Sequence, residues 1–425
     1  MREQTAQPET SAMSDFEHFS DGESLASLPP SILAAIRKHV PFKANAKRVD
    51  FVGIVWNDDQ PCIFWPKGLK NSSQQGKHAK LLIDALRRAG KSRSVQSKIK
   101  GAGGQIVYPV ELEILEHYLE YGLFETREAR FTQSVSGKID WGRTIKRQTP
   151  SPGANNVPIY LDPISSSQSS ADHLIRQLHA HAVGVCDRKF AWLLSSKGRA
   201  VAREHHNQKL IVTTSRAIAI VRKELHRQFS DVKKFQLQLL LHFFQRLHSL
   251  KPESSGFLGT DLFEFVWEDM CGVYFGTQRA AIRYPAVPSY FSPDMRHQPE
   301  SKNQGRPDIL LANDKRLGIV DAKYYDFGLT KPPWSDLVKQ FFYAKAFNHR
   351  GEYQSVTNSF AAPKTEGAVP TYASVIDPEL NIPLNAEFPP IKIMYIDVLE
   401  IMEHYRENRV NAEQRNLALG ILEKN

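Results

Sequence analysis

The hydrophobic pattern divides the chain into a β-rich first part, a helical middle part and a second β-rich part. Between Arg48 and Lys67, the set Val49, Phe51, Gly53 and Val55 alternates with Asp50, Val52 and Ile54, and a polar turn at 57–60 follows, which predicts a small β unit. Apolar residues recur every three or four positions over 171–194 and 231–250, and this period predicts two long amphipathic helices. Two apolar runs flank a polar turn at 313–316 and predict a β-hairpin. This alternation of strands and helices favours an α/β fold.

Composition indicates where the domains of the chain begin and end. Residues 1–28 are rich in Ser, Glu, Gln and Thr and poor in branched apolar residues, so we expect a disordered acidic tail. The segment Lys-Pro-Glu-Ser-Ser-Gly at 251–256 breaks the helical pattern and marks the start of a C-terminal domain. We therefore predict a small mixed α+β domain over 29–150 that docks a partner or DNA, a loop and helical region over 151–250, and an α/β domain over 251–425.

The charge of the chain is basic over most of its length. The sequence has 55 Lys and Arg against 46 Asp and Glu, a formal net charge of +9. Residues 1–30 hold six acids and one base, which leaves 54 bases against 40 acids, or +14, on the rest. A body this basic suits a polyanion, of which nucleic acid is the commonest. The alternative is a soluble protein that simply has a basic pI.

The most basic stretch lies between Lys77 and Lys100. It holds eight bases and a single acid, Asp84. We expect part of it to contact DNA or a partner, and the alternative is a solvated helix face and loop. The residues assigned to DNA contact are Lys77, Arg87, Arg88, Arg93, Lys98 and Lys100, together with Arg306 beside the predicted hairpin.

Cysteine usage and hydropathy predict an intracellular protein. Cys62, Cys186 and Cys271 lie far apart and form no C-x-x-C pair, so neither a zinc ribbon nor a disulfide framework is expected. The first 30 residues contain no apolar segment of the signal-peptide type, and the most apolar helix is interrupted by polar residues. We therefore expect a cytoplasmic protein with no membrane contact.

The predicted hairpin carries three charged residues between apolar strands. Side chains alternate between the two faces of a strand, so Asp321 and Lys323 point to the same face of its second strand. Asp308 opens the first strand and can lie across from them. Two carboxylates hold a hard divalent cation such as Mg²⁺ or Mn²⁺, which polarises a phosphodiester and activates a bound water. A lysine beside it can orient that water or offset developing negative charge.

Two predicted helices add candidates to the same site. Glu268, on the helix before the hairpin, is assigned as a further metal ligand, with a solvated helix face as the alternative. Gln340, on the helix after the hairpin, is assigned to bind a DNA phosphate or to brace the lysine. The alternative is an ordinary amphipathic helix that Asp336 caps. The predicted catalytic residues are Asp308, Asp321, Lys323, Glu268 and Gln340, and the predicted metal ligands are Asp308, Asp321 and Glu268.

At these residues the sequence resembles the PD-(D/E)XK nuclease superfamily and, within it, the LlaJI family of restriction endonuclease subunits, relatives of McrC. The family usually has Asn where this chain has Asp140. The resemblance implies a PD-(D/E)XK restriction-endonuclease-like C-terminal domain, which cleaves double-stranded DNA with Mg²⁺ or Mn²⁺ in antiviral restriction. The likeness includes Phe51-Val52-Gly53, Pro66-Lys67-Gly68, the segment from Gly137 to Ile145, Pro158-Ile159-Tyr160, Phe263 to Glu268 and the hairpin.

The resemblance also implies a partner. McrC-like proteins act with McrB-like AAA+ GTPase subunits, and this chain has no G-x-x-x-x-G-K-[ST] phosphate loop, so a nucleotide-driven motor has to be a separate chain. The N-terminal half is then expected to dock on that motor. The Gly137–Ile145 segment is either part of the docking surface or a structural turn anchored by Trp141.

The sequence leaves the oligomeric state and two alternative functions open. A homodimer is one of the assemblies that the sequence allows. A non-catalytic regulatory or DNA-binding subunit of a AAA+ complex is an alternative function, and a PD-(D/E)XK nuclease of repair or transposition is another. The intact acid, acid and lysine set favours an active endonuclease over a degenerate one.

Overall fold

A computed structural model describes most of the chain and divides it into two compact units. One unit comprises Met1–Pro109 with Ser254–Asn425, and the other comprises Val110–Glu253. Sequence analysis placed its boundaries at residues 28, 150 and 250, and that division into domains stays a prediction. The described residues are 17–39, 46–57, 60–69, 75–125, 128–133, 138–169, 174–194, 196–249, 257–291, 297–299, 305–367 and 369–421.

The secondary structure is mixed, as the α/β prediction requires. The strands are β1 (Glu17–Ser20), β2 (Val52–Asn57), β3 (Gln60–Trp65), β4 (Glu128–Gln133), β5 (Lys138–Ile139), β6 (Ser151–Pro152), β7 (Pro158–Ile159), β8 (Ile164–Ser169), β9 (Phe257–Thr260), β10 (Ser289–Phe291), β11 (His297–Pro299), β12 (Ile309–Ala312), β13 (Arg316–Ala322), β14 (Ser355–Pro363), β15 (Tyr372–Ala373), β16 (Ile376–Asp377), β17 (Ile382–Pro383) and β18 (Ile391–Ile396). The helices are α1 (Pro30–His39), α2 (Gln75–Lys91), α3 (Arg93–Gly101), α4 (Val110–Tyr121), α5 (Trp141–Arg147), α6 (Leu174–Phe190), α7 (Ser196–Arg203), α8 (Thr214–Leu225), α9 (Asp231–Ser249), α10 (Phe263–Phe275), α11 (Trp334–Arg350), α12 (Val398–Glu407) and α13 (Ala412–Ala418). Among the described residues, no helix combines the length and the apolar character that a membrane span requires.

A four-stranded sheet explains why the first part of the chain belongs with the last. Its strand order is β1-β3-β2-β9, and β2 pairs antiparallel with β9 so that Gly53 lies opposite Gly259. The chain thus leaves this sheet after β3, forms the second unit and returns as β9 to pair with β2. Local patterns cannot show such a pairing, because it joins residues about two hundred positions apart.

The two paired glycines permit the close approach of β2 and β9. Gly53 has a φ of 148° and Gly259 a φ of 151°, a range that side chains disfavour. A Cβ atom on Gly53 would lie 2.0 Å from the Leu258 carbonyl oxygen, and one on Gly259 would lie 2.3 Å from that of Val52. The Phe51-Val52-Gly53 motif therefore includes a glycine that the sheet requires.

The prediction of disorder is wrong for residues 17–28, which the structure describes. Residues 1–16 of that prediction lie outside the described residues, but β1 pairs in parallel with β3. Leu25 and Leu28 are buried in a core cluster with Ile36 and Phe51. The physical reason is that a few apolar residues suffice to order a polar stretch when a neighbouring strand supplies hydrogen-bond partners.

A five-stranded sheet forms the centre of the C-terminal part, with the order β12-β13-β14-β18-β15. The predicted hairpin is confirmed as the antiparallel pair β12–β13, in which the Asn313 side chain accepts hydrogen bonds from the amides of Lys315 and Arg316. Strands β13 and β14 run parallel and are joined by α11. The Trp267 indole of α10 is buried and donates to the Ala361 carbonyl of β14 at 3.2 Å.

The second unit contains the segment that was predicted to be a turn. Lys138–Ile139 is a short strand there, but Trp141 begins the seven-residue helix α5. Asp140 caps this helix by accepting from the Arg143 amide at 3.0 Å, a role that Asn fills equally well. Trp141 is 54% exposed, and its ring meets that of Tyr160 edge-on at 6.3 Å between centroids. Gly137 lies outside the described residues.

Candidate active site

The end of the β12–β13 hairpin brings the predicted acid pair together. Ile309 lies opposite Val320 in the ladder, so Asp308, which precedes β12, lies beside the end of β13. The Ala322 amide donates to Asp308 Oδ2 at 3.0 Å. The Lys323 amide donates to the Ala361 carbonyl at 2.8 Å and continues the pairing with β14 beyond the end of the strand. The backbone on both sides of the acids is therefore fixed.

The Lys323 ammonium lies between two carboxylates. Its Nζ atom is 2.6 Å from Asp321 Oδ2 and 3.1 Å from Asp336 Oδ2. The side chains of these three residues are 16%, 14% and 10% exposed, in the order Lys323, Asp321 and Asp336. Burial alone would lower the pKa of Lys323, but the two carboxylates raise it above its ordinary value. The lysine is therefore charged and cannot act as a base without losing these partners.

Asp308 and Asp321 form a pair of interacting acids. Burial raises the pKa of Asp308 well above its ordinary value, and the charges of Asp321 and Glu268 raise it further. A hydrogen bond between Asp308 and Asp321 acts in the same direction. These effects favour the protonated form of Asp308 when no cation is bound, and a cation would relieve the same repulsion.

Glu268 reaches this region from α10, but it is engaged by basic residues. Lys98 of α3 contacts Glu268 Oε1 directly, and Arg279 Nη1 lies 3.9 Å from the same atom. Glu268, Asp308 and Lys323 all line one cavity of about 470 Å³. Sequence analysis assigned Lys98 to DNA and Glu268 to metal, whereas the structure pairs them with each other.

The residues fit a divalent cation by their chemistry. Asp308, Asp321 and Glu268 offer only carboxylate oxygens, which are the donors that Mg²⁺ and Mn²⁺ prefer. Within the described chain, no three acidic, histidine or cysteine side chains already stand close enough to hold a metal ion together. Asp321 and Glu268 are instead each held by a lysine, and both lysines would have to share or release them.

Gln340 does not contact Lys323 or the cavity among the described residues. Its side chain is fully buried, and neither its amide nitrogen nor its amide oxygen has a hydrogen-bond partner there. A DNA phosphate cannot reach a residue that is buried in this way. The contact that was expected to brace the lysine comes instead from Asp336, one helical turn earlier.

The bases assigned to DNA fall into two groups. Arg88 is structural, because it donates to the Tyr405 carbonyl and to Asn408 Oδ1 and lies 4.5 Å from the centre of the Tyr405 ring. Arg87 is half-buried and lies over the Tyr108 ring. The remaining assigned bases, apart from Lys98, are exposed: Lys77, Arg93, Lys100 and Arg306.

Residues that sequence analysis did not assign fix the backbone just after Lys323. The Tyr324 hydroxyl accepts from the Lys67 amide at 2.9 Å and hydrogen-bonds Asp21. Lys67 Nζ lies 3.1 Å from Asp21 Oδ2 and 4.1 Å from the centre of the Tyr324 ring. The Pro66-Lys67-Gly68 motif was the available signal, but its contact with the hairpin depends on tertiary structure.

The fold and the hairpin define a mixed α/β protein with an acid–acid–lysine group at the end of a central β-hairpin. The LlaJI restriction endonuclease family matches residues 51–384, which is more than half of the chain. The chain therefore belongs to the LlaJI restriction endonuclease family, as the sequence motifs predicted. No curated protein matches the sequence.

Two solved structures are similar to the chain at low identity. One is described as a refined half-complex from a tetradecameric assembly of Thermococcus gammatolerans McrB AAA+ hexamers with bound McrC. It is 13% identical, covers 92% of this chain and 99% of that chain, and has a TM-score of 0.44. The other is described as the Thermococcus gammatolerans McrBC complex. It is also 13% identical, covers 59% of this chain and 84% of that chain, and has a TM-score of 0.29.

Proposed function

We propose that the chain is the metal-dependent nuclease subunit of a restriction system and cleaves DNA with a site of the PD-(D/E)XK type. The observation that carries this proposal is the meeting of Asp308, Asp321 and Lys323 at one end of the hairpin. Asp308, Asp321 and Glu268 would hold Mg²⁺ or Mn²⁺, which when bound would polarise the scissile phosphate and activate a water.

The residues of the chain have separate roles in this proposal. Asp308, which lies beside Asp321, would have to be ionised to hold the cation. Lys323 stays charged and places its ammonium beside the reacting phosphate, where it offsets the negative charge that develops in the transition state. The family match supports a nuclease, and the low exposure of the Asp321 and Lys323 side chains supports a site over surface decoration.

A cleavage assay tests the requirement for metal. Plasmid DNA is incubated with the purified chain, with its partner where the chain alone is inactive, in Mg²⁺, Mn²⁺, Ca²⁺ or excess EDTA. We expect cutting with Mg²⁺ or Mn²⁺, and with Ca²⁺ we expect DNA binding without cutting. Cutting that persists in EDTA would contradict the proposal. Absence of cutting under every condition would favour a regulatory or DNA-binding subunit.

We further propose that a McrB-like AAA+ GTPase activates the chain. The sequence contains no phosphate-binding loop of the P-loop type, so the chain cannot use GTP to move along DNA by itself. The second unit adds a body of more than a hundred residues that the hairpin site does not use, which leaves surface for a partner. We expect the isolated chain to cut poorly, and cutting to rise when the product of a neighbouring GTPase gene and GTP are added. Sequence-specific cutting by the isolated chain, unchanged by partner or nucleotide, would overturn this expectation.

A further inference from the structure

We infer that Asp336 is a positioning residue, which keeps Lys323 in place when Asp321 is drawn away to bind a cation. The inference deepens the proposed function and rests on it. Asp336 belongs to α11, which follows the hairpin in sequence and joins β13 to β14. Sequence analysis considered it only as a helix cap, in the alternative interpretation of α11, whereas in the structure it contacts Lys323.

The Asp336 carboxylate is turned away from the backbone of its own helix. Pro333 occupies the N-cap position of α11, and no side chain caps that end. Asp336 Oδ2 instead accepts from the Tyr325 hydroxyl at 3.2 Å and lies 3.1 Å from Lys323 Nζ. The whole residue is only 7% exposed. A carboxylate buried to this degree requires compensating partners, and Lys323 and Tyr325 supply them.

Lys323 has two anionic partners, and only one of them is a proposed metal ligand. Asp321 is the nearer, at 2.6 Å, and belongs to the acid pair with Asp308. When Asp321 turns its oxygen to a cation, Lys323 loses part of its strongest contact. Asp336 is fixed by Tyr325 and is not part of the acid pair, so it can hold the ammonium in the same place. Release of Asp321 therefore does not leave a buried ammonium unpaired.

This arrangement predicts an effect on metal affinity from a residue that is not a ligand. In Asp336→Asn, Lys323 keeps only Asp321 as an anionic partner and competes more strongly with the cation for it. We expect the dissociation constant for Mn²⁺ to rise about 10- to 100-fold, the range that applies when partners of metal ligands are removed. In a Lys323→Ala background the competitor is absent, so Asp336→Asn should change the Mn²⁺ affinity little.

The test is a double-mutant cycle that follows Mn²⁺ binding by calorimetry. The wild type, Asp336→Asn, Lys323→Ala and the double variant are titrated as full-length chains. Asp269→Asn is the matched control, because Asp269 also accepts a tyrosine hydroxyl, that of Tyr405 at 2.6 Å, outside the site. We expect loss of affinity in Asp336→Asn alone, wild-type affinity in the control, and no further loss in the double variant relative to Lys323→Ala.

Two further variants keep the inference testable if Asp336→Asn does not fold. Tyr325→Phe removes one of the groups that hold Asp336 and should weaken Mn²⁺ binding by a smaller factor. Asp336→Glu keeps the charge and should restore affinity in part. In cleavage assays, Asp336→Asn should lower kcat with little change in KM for DNA, because it acts through Lys323 rather than on DNA binding.

The outcomes separate this inference from the proposed function. If the wild type binds no Mn²⁺, or if Asp321→Asn binds it as the wild type does, the proposed site is overturned and the inference with it. If Asp321→Asn loses Mn²⁺ but Asp336→Asn binds it as tightly as the wild type, only the role of Asp336 is overturned. An equal loss of affinity from Asp336→Asn with and without Lys323 would also overturn it, because Asp336 would then act as a nearby charge and not through the lysine.

Discussion

The β12–β13 hairpin and the basic segment formed by α2 and α3 carry their charges in opposite ways. At the hairpin, Asp321 and Lys323 are less than one-fifth exposed, and their charged groups contact each other. On α2 and α3, Lys77 and Lys100 are exposed, while Lys98 contacts an acid inside the unit. Both regions appear as clusters of charge in the sequence. Burial beside the opposite charge distinguishes the candidate site from the solvated surface.

The largest expected effect is loss of cleavage from changes at the hairpin. Asp321→Ala and Lys323→Ala should each reduce the rate of DNA cleavage by about 100-fold or more, because they remove a proposed metal ligand and a transition-state charge. DNA affinity should change little, and the variants should still fold, with a lower Tm because each change leaves a buried opposite charge with one partner fewer. The matched control is Lys315→Ala, an exposed lysine in the turn of the same hairpin. Full cleavage activity in either hairpin variant would contradict the assignment of the active site to the hairpin.

A second prediction distinguishes the structural bases of α2 and α3 from the exposed ones. Arg88→Ala removes hydrogen bonds to Tyr405 and Asn408, so the free energy of unfolding should fall by about 1.5–3 kcal/mol. Arg93→Ala changes an exposed residue and should alter the free energy of unfolding by less than about 0.5 kcal/mol. Urea unfolding of both variants measures the difference. Equal effects would mean that burial does not separate the structural bases from the surface bases.

The raised pKa of Asp308 predicts a pH dependence of stability in the metal-free protein. The unfolded chain ionises an aspartate near 3.8, whereas the folded chain holds the proton to higher pH. The folded state therefore binds more protons above that value, and its stability falls as pH rises. Asp308→Asn should weaken this dependence and raise Tm at neutral pH, because the variant has no carboxyl group to ionise at this position. A Tm that is unchanged or lower in the absence of metal would contradict the assignment.

The smallest effects are expected at the exposed bases. Lys77→Ala, Arg93→Ala and Lys100→Ala should each weaken DNA binding only slightly, and each phosphate contact that is lost should reduce the salt slope by about one. Binding measured by fluorescence anisotropy at several salt concentrations tests this. If these variants lost as much cleavage activity as Lys323→Ala, the catalytic residues would lie in the basic segment and not at the hairpin.

The sequence was sufficient for features that depend on local spacing. The hairpin, its polar turn and the shared face of Asp321 and Lys323 follow from alternation over fewer than twenty residues. A helix after the hairpin was expected, and α11 runs there from Trp334 to Arg350. The family match agrees with the motifs that indicated a restriction endonuclease.

Features that depend on distant pairing could not be predicted. The return of β9 to β2 joins residues that local patterns treat separately, and it changed the division of the chain. Lys98 meets Glu268, and Lys67 meets Tyr324, across more than 150 positions of sequence. The choice between Gln340 and Asp336 as the partner of the lysine depended on the rotation of α11, which periodicity alone does not determine.

The central claim is that the hairpin acids bind a divalent cation. Calorimetric titration of Mn²⁺ into the full-length chain measures this binding directly. Asp321→Asn is compared with the wild type and with Asp314→Asn, which changes an exposed acid in the hairpin turn. We predict that the wild type and Asp314→Asn bind Mn²⁺ equally and that Asp321→Asn binds it at least about 10-fold more weakly. Equal binding by all three proteins would contradict it.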